Sequence, residues 1–261
     1  MGLFVNPDQS AFQSALNAQI YVDKSGLIEY TNSVLESTDA FICNSRPRRF
    51  GKSITADMLT AYYSKGCDSR ELFSKFQIAQ TPDFEKHLNR YNVIHIDIQQ
   101  FVSKYLVIKD MVARLTKELL FDVKMEMPDV TLFDETDLVR TLKDIFSQKR
   151  EKFIFIIDEW DSIFRVHRDN AAAQKEYLDF LRDLLKGQPY VALAYMTGIL
   201  PIKKYGEHSA LNMFKEYSMT NQKRLAEFTG FTEQEVRQLC EHYHMSFEKT
   251  KQWYDGYNIN G

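Results

Sequence analysis

The sequence predicts an α/β fold, a three-layer sandwich around a mostly parallel sheet, with a small helical lid at the C-terminal end. Three observations predict it. Short apolar runs that read as strands alternate with longer stretches at helical spacing. One of those runs, Phe153-Ile154-Phe155-Ile156-Ile157, is apolar throughout, as a strand covered on both faces must be. Only 10 Gly and 6 Pro punctuate 261 residues, so elements are long and linkers short.

The elements follow in order. Leu27, Ile28, Thr31, Val34 and Leu35 keep a helical period, and Ala40-Phe41-Ile42-Cys43 reads as the first buried strand. A helix through Ile54, Met58, Leu59 and Tyr62 is expected to end near Lys65-Gly66, a basic last turn and a capping glycine. Residues 93–98 form the second strand. Two amphipathic helices follow, through Ile108, Met111, Val112, Leu115 and Leu119, then through Leu138, Leu142 and Phe146. After the third strand (153–157), a helix capped by Asn170 runs to Gly187 and leads to a fourth strand, 191–196. A short strand is expected near 216–219.

From about residue 228 the pattern changes. Thr232-Glu233-Gln234-Glu235 is a capping box, Val236, Leu239, Cys240 and Tyr243 follow at helical spacing, and Ser246 can cap a last helix towards Trp253. The expected division is a core, 1–228, and a helical appendage, 229–261. With no closing element after it, the chain reads as part of something longer.

Composition excludes several classes. Thirty-three Lys and Arg against 36 Asp and Glu leave a net charge of −3, no coat for nucleic acid or an acidic membrane. The N-terminus lacks the basic and apolar regions of a leader, and Asn6 stands where myristoylation wants Ser or Thr. No apolar run could cross a bilayer, and Cys43, Cys67 and Cys240 are too scattered for a disulfide framework or a cysteine-rich zinc site. A soluble cytoplasmic protein with no membrane role is expected.

Two stretches carry chemistry. Ser45-Arg46-Pro47-Arg48-Arg49-Phe50-Gly51-Lys52-Ser53 lies between the first strand and the next helix. It fits the phosphate-loop pattern G-x-x-x-x-G-K-[ST] except that Arg46 replaces the opening glycine. Gly51 lets backbone N–H groups approach phosphate, Lys52 reaches the terminal phosphates, and the Ser53 hydroxyl suits Mg²⁺. The helix N-terminus behind them adds its positive end. The expected phosphate-binding set is Arg46, Pro47, Arg48, Arg49, Phe50, Gly51, Lys52, Ser53 and Ile54, with Arg46 forfeiting only the freedom of the first turn. Arg48 and Arg49 suit either an anion or an acidic partner domain.

Asp158-Glu159 ends the all-apolar strand, at the edge where open α/β sheets bind ligands. Asp158 is expected to serve Mg²⁺ and Glu159 the attacking water. The intervening second strand, with Glu directly after Asp, suits NTPases with a catalytic glutamate and an additional sheet strand between the motif strands. Thr197, ending the fourth strand, either senses the γ-phosphate or merely ends the strand. His95 and Asp97 share a strand face as a half-buried pair. Cys240 and His244 share a helix face but make a poor metal site.

These segments, with Tyr21-Val22-Asp23-Lys24-Ser25-Gly26, Met196-Thr197-Gly198-Ile199-Leu200-Pro201-Ile202 and Trp253-Tyr254-Asp255-Gly256-Tyr257, resemble the bacterial AAA-ATPase-like family. Arg46 for glycine is a trait of that family. The resemblance implies ATP and Mg²⁺ as cofactors and a core akin to the archaeal and STAND ATPases. It also implies adenine near Tyr21, Asp23 and Lys24, and a lid bringing Tyr254 and Asp255 to the nucleotide. Family members usually carry a C-terminal PD-(D/E)XK nuclease-like domain; these 261 residues show no such constellation, and that domain or a partner protein is the expected partner. The expected function is Mg-dependent ATP hydrolysis, with catalytic Lys52, Glu159 and Thr197, switching an attached or partner domain. A nucleotide-locked scaffold and a nucleic-acid module using the arginine cluster are the alternatives.

Overall fold

The computed structural model describes residues 2–105, 107–202, 209–219 and 223–254. Among them are five strands: β1 (Phe41–Ser45), β2 (Asn92–Asp97), β3 (Phe153–Asp158), β4 (Val191–Gly198) and β5 (Lys215–Tyr217). They form one sheet in the order β2-β3-β4-β1-β5, with every pairing parallel. As the sequence implies, one extra strand separates the two motif strands: β4 lies between β1 and β3.

The order explains the layers. From β1 the chain leaps past two positions to β2, then returns step by step through β3 and β4. Right-handed crossovers taken in opposite directions lay their helices on opposite faces. Helices before β2 cover one face: α1 (Ser10–Leu16), α2 (Gly26–Val34), α3 (Lys52–Tyr63), α4 (Arg70–Phe73) and α5 (Phe84–His87). Those after it cover the other: α6 (Ile98–Val102), α7 (Ile108–Glu126), α8 (Leu138–Lys149), α9 (Ser162–Val166) and α10 (Ala171–Leu185). Alternate strand residues feed two separate cores. Ile154 and Ile156 join one, while Phe153, Phe155 and Ile157 join the other. Tyr62, Tyr63 and Phe73 pack in the first, so they are core and not stacking platforms.

Several boundaries follow the sequence closely. The Asn170 side chain accepts from Ala173 N, and Thr232 and Glu235 make the capping box that opens α11 (Glu233–His242), followed by α12 (Phe247–Tyr254). One boundary differs. Helix α3 stops at Tyr63, because Ser64 bridges to Tyr91 and Lys65 N donates to Tyr91 O. Gly66 is therefore no helix cap; a Cβ there would sit 2.0 Å from the Asn6 carbonyl oxygen. The second strand also ends one residue early, since the Asp97 side chain accepts from Gln99 N and caps α6.

The exposed edge of β2 is covered by the N-terminal segment. Val5 pairs antiparallel with Ile94, Asn6 N donates to Val93 O, and His95 N donates to Phe4 O. Covering an edge removes a template for aggregation. The buried Asp122 carboxylate of α7 holds this segment by accepting from Phe4 N (2.6 Å) and Val5 N (3.2 Å). Asp122→Ala leaves two buried donors unpaired and should cost about 1–3 kcal/mol. Thermal unfolding should show a Tm lower by several degrees, and amide exchange at Val5 and His95 should quicken.

Candidate nucleotide site

The loop after β1 is shaped by two left-handed residues. Arg49 has φ of +69° and Gly51 +75°, and α3 starts immediately after with Lys52. A side chain at Gly51 would meet nothing within 4 Å but would have to accept that φ. The first-turn N–H groups of α3 lack intrahelical acceptors and point into the concavity, an arrangement suited to an anion. Lys52 is buried, its Nζ donating to the Pro47 carbonyl at 3.2 Å.

The loop borders a cavity of about 600 Å³. Its lining divides by chemistry. The polar part holds Arg48, Arg49, Gly51, Lys52, Ser53, Gln99, Glu159 and Arg165; the apolar part holds Ile20, Tyr21, Val22, Ile54, Met58, Phe228 and Phe231. Arg48 and Arg49 are exposed and make no ion pair among the described residues. Five cations, counting Lys24, face one carboxylate.

Glu159, just past the end of β3, enters the same cavity, while Asp158 lies behind it and does not line the cavity. Glu159 Oε1 lies 3.9 Å from Lys52 Nζ, and its Oε2 takes a short contact from Arg165 Nη2. Glu159 has φ of +52°, an uncommon backbone state for a side-chain-bearing residue and one that clusters at functional sites. Burial raises its carboxyl above the usual range, against the pull of Arg165 and then Lys52. Asp158 is buried, its Oδ1 accepting from the Thr197 hydroxyl and from Glu159 N (2.9 Å).

Mg²⁺ fits the residues present. The Ser53 hydroxyl is exposed to the cavity without a hydrogen bond, and Asp158 Oδ2 has none among the described residues. Among the described residues no group of three or more His, Cys, Asp or Glu could hold a metal ion by itself. That matches a cation held by one or two protein oxygens plus phosphates and water.

Several expected site residues lie elsewhere. Arg46 is wholly buried and does not line the cavity. Its Nε donates to Thr229 Oγ1 at 3.1 Å, and Nη1 donates to the carbonyls of Ser45 (3.0 Å) and Tyr217 (2.8 Å). Replacing the motif glycine thus adds a pin from the loop to β5 and to residue 229, far more than a loss of turn freedom. Thr197 is fully buried, does not line the cavity and donates its hydroxyl to Asp158. Asp23 accepts from Ser25 N and Gln77 N and is a structural staple outside the cavity. His95 pairs with Thr60 at 3.1 Å and lies 4.0 Å from Asp57, not Asp97. Asp255 and the Tyr254 side chain fall outside the described residues.

Other members had no signal in sequence. Arg165 lies six residues past Glu159 in a helix of its own. Phe228, Gly230 and Phe231 arrive from the far end of the chain, where Gly230 N donates to the Phe50 carbonyl at 2.9 Å. Lys24 pairs with Glu235 at 2.6 Å, and the Tyr243 hydroxyl donates to Gln19 O, so α11 is tied to the cavity wall.

A family model described as predicted AAA-ATPase matches residues 11–206. The chain belongs to that family. This AAA-ATPase-family chain is similar to an uncharacterized protein in the vnfD 5' region of Azotobacter chroococcum mcd 1. The two are 23% identical over 250 residues, covering 92% of this chain and 45% of that protein, so the chain spans under half the relative's length. Among solved structures it is similar to the ORC2 protein of Aeropyrum pernix in its ADPNP-ADP complexes. That match has a TM-score of 0.41 and 12% identity, covering 92% of this chain and 56% of the other. It is also similar to Cdc6p of Pyrobaculum aerophilum (TM-score 0.39, 11% identity, 91% and 53% covered). No helix among the described residues is long and apolar enough to cross a membrane.

Two measurements test the site's frame. Arg46→Gly, which restores the standard motif, should nonetheless destabilise by about 2–4 kcal/mol through lost charged hydrogen bonds and packing, seen as a lower urea midpoint. Burial, reinforced by Asp158 and Asp97, pushes the Asp57 carboxyl up to about 7. The folded state therefore keeps this proton to higher pH than the unfolded chain does. Asp57's favourable contribution is complete below about pH 4 and is lost as pH rises towards 7. Asp57→Asn should be more stable than wild type at pH 8, by about 1–3 kcal/mol, with the gain vanishing near pH 4.

Proposed function

We propose that this chain binds Mg·ATP in the cavity and hydrolyses it, switching an attached or partner domain. One observation carries the reading: the loop after β1 and the acidic end of β3 converge, with Lys52 Nζ 3.9 Å from Glu159 Oε1. The lining supports a nucleotide in particular, since it combines cationic side chains with aromatic and aliphatic ones. Membership of the predicted AAA-ATPase family supports the nucleotide's identity.

The roles follow from position. Lys52 and the α3 N-terminus neutralise the β- and γ-phosphates. Ser53 and Asp158 would hold Mg²⁺, which supplies further positive charge there, and Thr197 fixes the Asp158 carboxylate. Glu159 takes a proton from a water molecule. The water oxygen bonds to the γ-phosphorus while the bond to the bridging oxygen breaks, giving ADP and phosphate. Tyr21, Met58, Phe228 and Phe231 offer apolar contacts for the base.

A second reading has its own observation. Glu159 is tied to Arg165 and Lys52, and a carboxylate so engaged is a poor base. That favours a scaffold which holds ATP without turning it over. Nothing comparable favours nucleic-acid binding, since Arg48 and Arg49 face the cavity and the net charge is −3.

Lys52→Ala should weaken ATP binding about ten- to a hundredfold, the worth of a charge-assisted contact. Calorimetry showing an unchanged Kd would sink the assignment. Glu159→Gln should keep Mg·ATP affinity while phosphate release falls about 10²–10⁴-fold. Asp158→Asn should instead reduce the Mg²⁺ dependence of binding. A wild type that releases phosphate no faster than Glu159→Gln would leave the scaffold reading standing.

A further inference from the structure

We infer that Arg165 is the chain's own arginine for the terminal phosphate, surrendering Glu159 when ATP arrives. The inference rests on the triphosphate reading above and deepens it by naming what distinguishes ATP from ADP at this site.

Three features single out Arg165. It lines the same cavity as Lys52, and one carboxylate, that of Glu159, spans both cations. It is also held from behind. Ser162 Oγ accepts from Nη2 at 2.7 Å, and Asp161 Oδ2 lies 3.4 Å from Nε. Asp161 is itself immobile, being fully buried and accepting from Leu200 N at 2.9 Å. Finally, its donors are not all spent, because both of its hydrogen bonds leave from Nη2 and Nη1 makes none among the described residues. A guanidinium has five N–H donors in a fixed fork, and a preorganised one stabilises phosphoryl charge without reorganising. Arg48 and Arg49 line the cavity too, but nothing among the described residues holds them in place.

In this arrangement Glu159 stands in for an anion. Its charge offsets Lys52 and Arg165, and its Oε2 accepts from Arg165. A γ-phosphate is a stronger competitor for both cations, carrying more charge and fork-matching oxygens. Its arrival frees Glu159 to take the water's proton, and Arg165 passes to the equatorial phosphate oxygens. ADP reaches Lys52 but offers Arg165 nothing, so the base stays captured.

The test compares Arg165→Ala and Arg165→Gln with wild type, using ATP, ADP and Mg²⁺ on the full chain. Arg165→Gln retains hydrogen bonding to Ser162 without charge, in case the alanine variant does not fold. ADP affinity should stay within about twofold. The preference for ATP over ADP should fall about tenfold, and phosphate release at saturating ATP should fall at least about a hundredfold, as for an arginine acting on the γ-phosphate. Equal losses for ATP and ADP would make Arg165 merely structural and overturn the inference. So would unchanged ATP preference and phosphate release. A wild type that binds neither nucleotide would overturn the triphosphate reading itself, and this inference with it. Normal wild-type binding with indifferent Arg165 variants would overturn this inference alone.

Discussion

A buried ammonium has to be neutralised, and Lys52 organises the site around that requirement. Its Nζ is withdrawn from water and meets only a carbonyl oxygen and the Glu159 carboxylate. An isolated charge so placed would be costly. Glu159 reaches it across β4, because β1 and β3 run parallel and end at the same edge of the sheet. Arg48 and Arg49 add two cations to the lining that make no ion pair among the described residues, a charge that a polyanion would balance.

Arg46 illustrates how a motif can change without loss. In a standard phosphate loop the first glycine serves backbone geometry. Here Arg46 is buried beneath the loop and joins β1, β5 and residue 229. Burial lowers its pKa, and no carboxylate among the described residues pairs with it, so its charge is held by oxygen dipoles. It links the loop to the segment that precedes α11. The Phe50–Gly230 and Lys24–Glu235 contacts repeat that connection from two other sides of the cavity. Movement of the loop on binding phosphate would thus be felt directly at the start of the C-terminal helices.

Asp158 and Glu159 are neighbours with different surroundings. Asp158 is fixed by a threonine hydroxyl and a backbone N–H, whereas Glu159 lies between two cationic side chains on a left-handed backbone. One carboxylate is rigid and suited to a metal. The other can exchange partners, as a base must.

By itself the sequence determined the local features. The all-apolar run 153–157 became β3, Asn170 and Thr232 became helix caps, and the Gly51-Lys52-Ser53 string became a loop at a helix N-terminus. Each depends on residues within a few positions, so periodicity and capping chemistry suffice. The tertiary structure alone decided what distant residues do to one another. Thr197 read equally as a phosphate sensor or as a plain strand end until register set it against Asp158, and Arg46 looked like a vacancy until Tyr217 and Thr229 came beside it. Arg165 and Phe231 entered the cavity from elements that carry no motif. A side chain's role depends on which partners and how much water surround it, and those are set by sheet order and crossover handedness, not by neighbours in the chain.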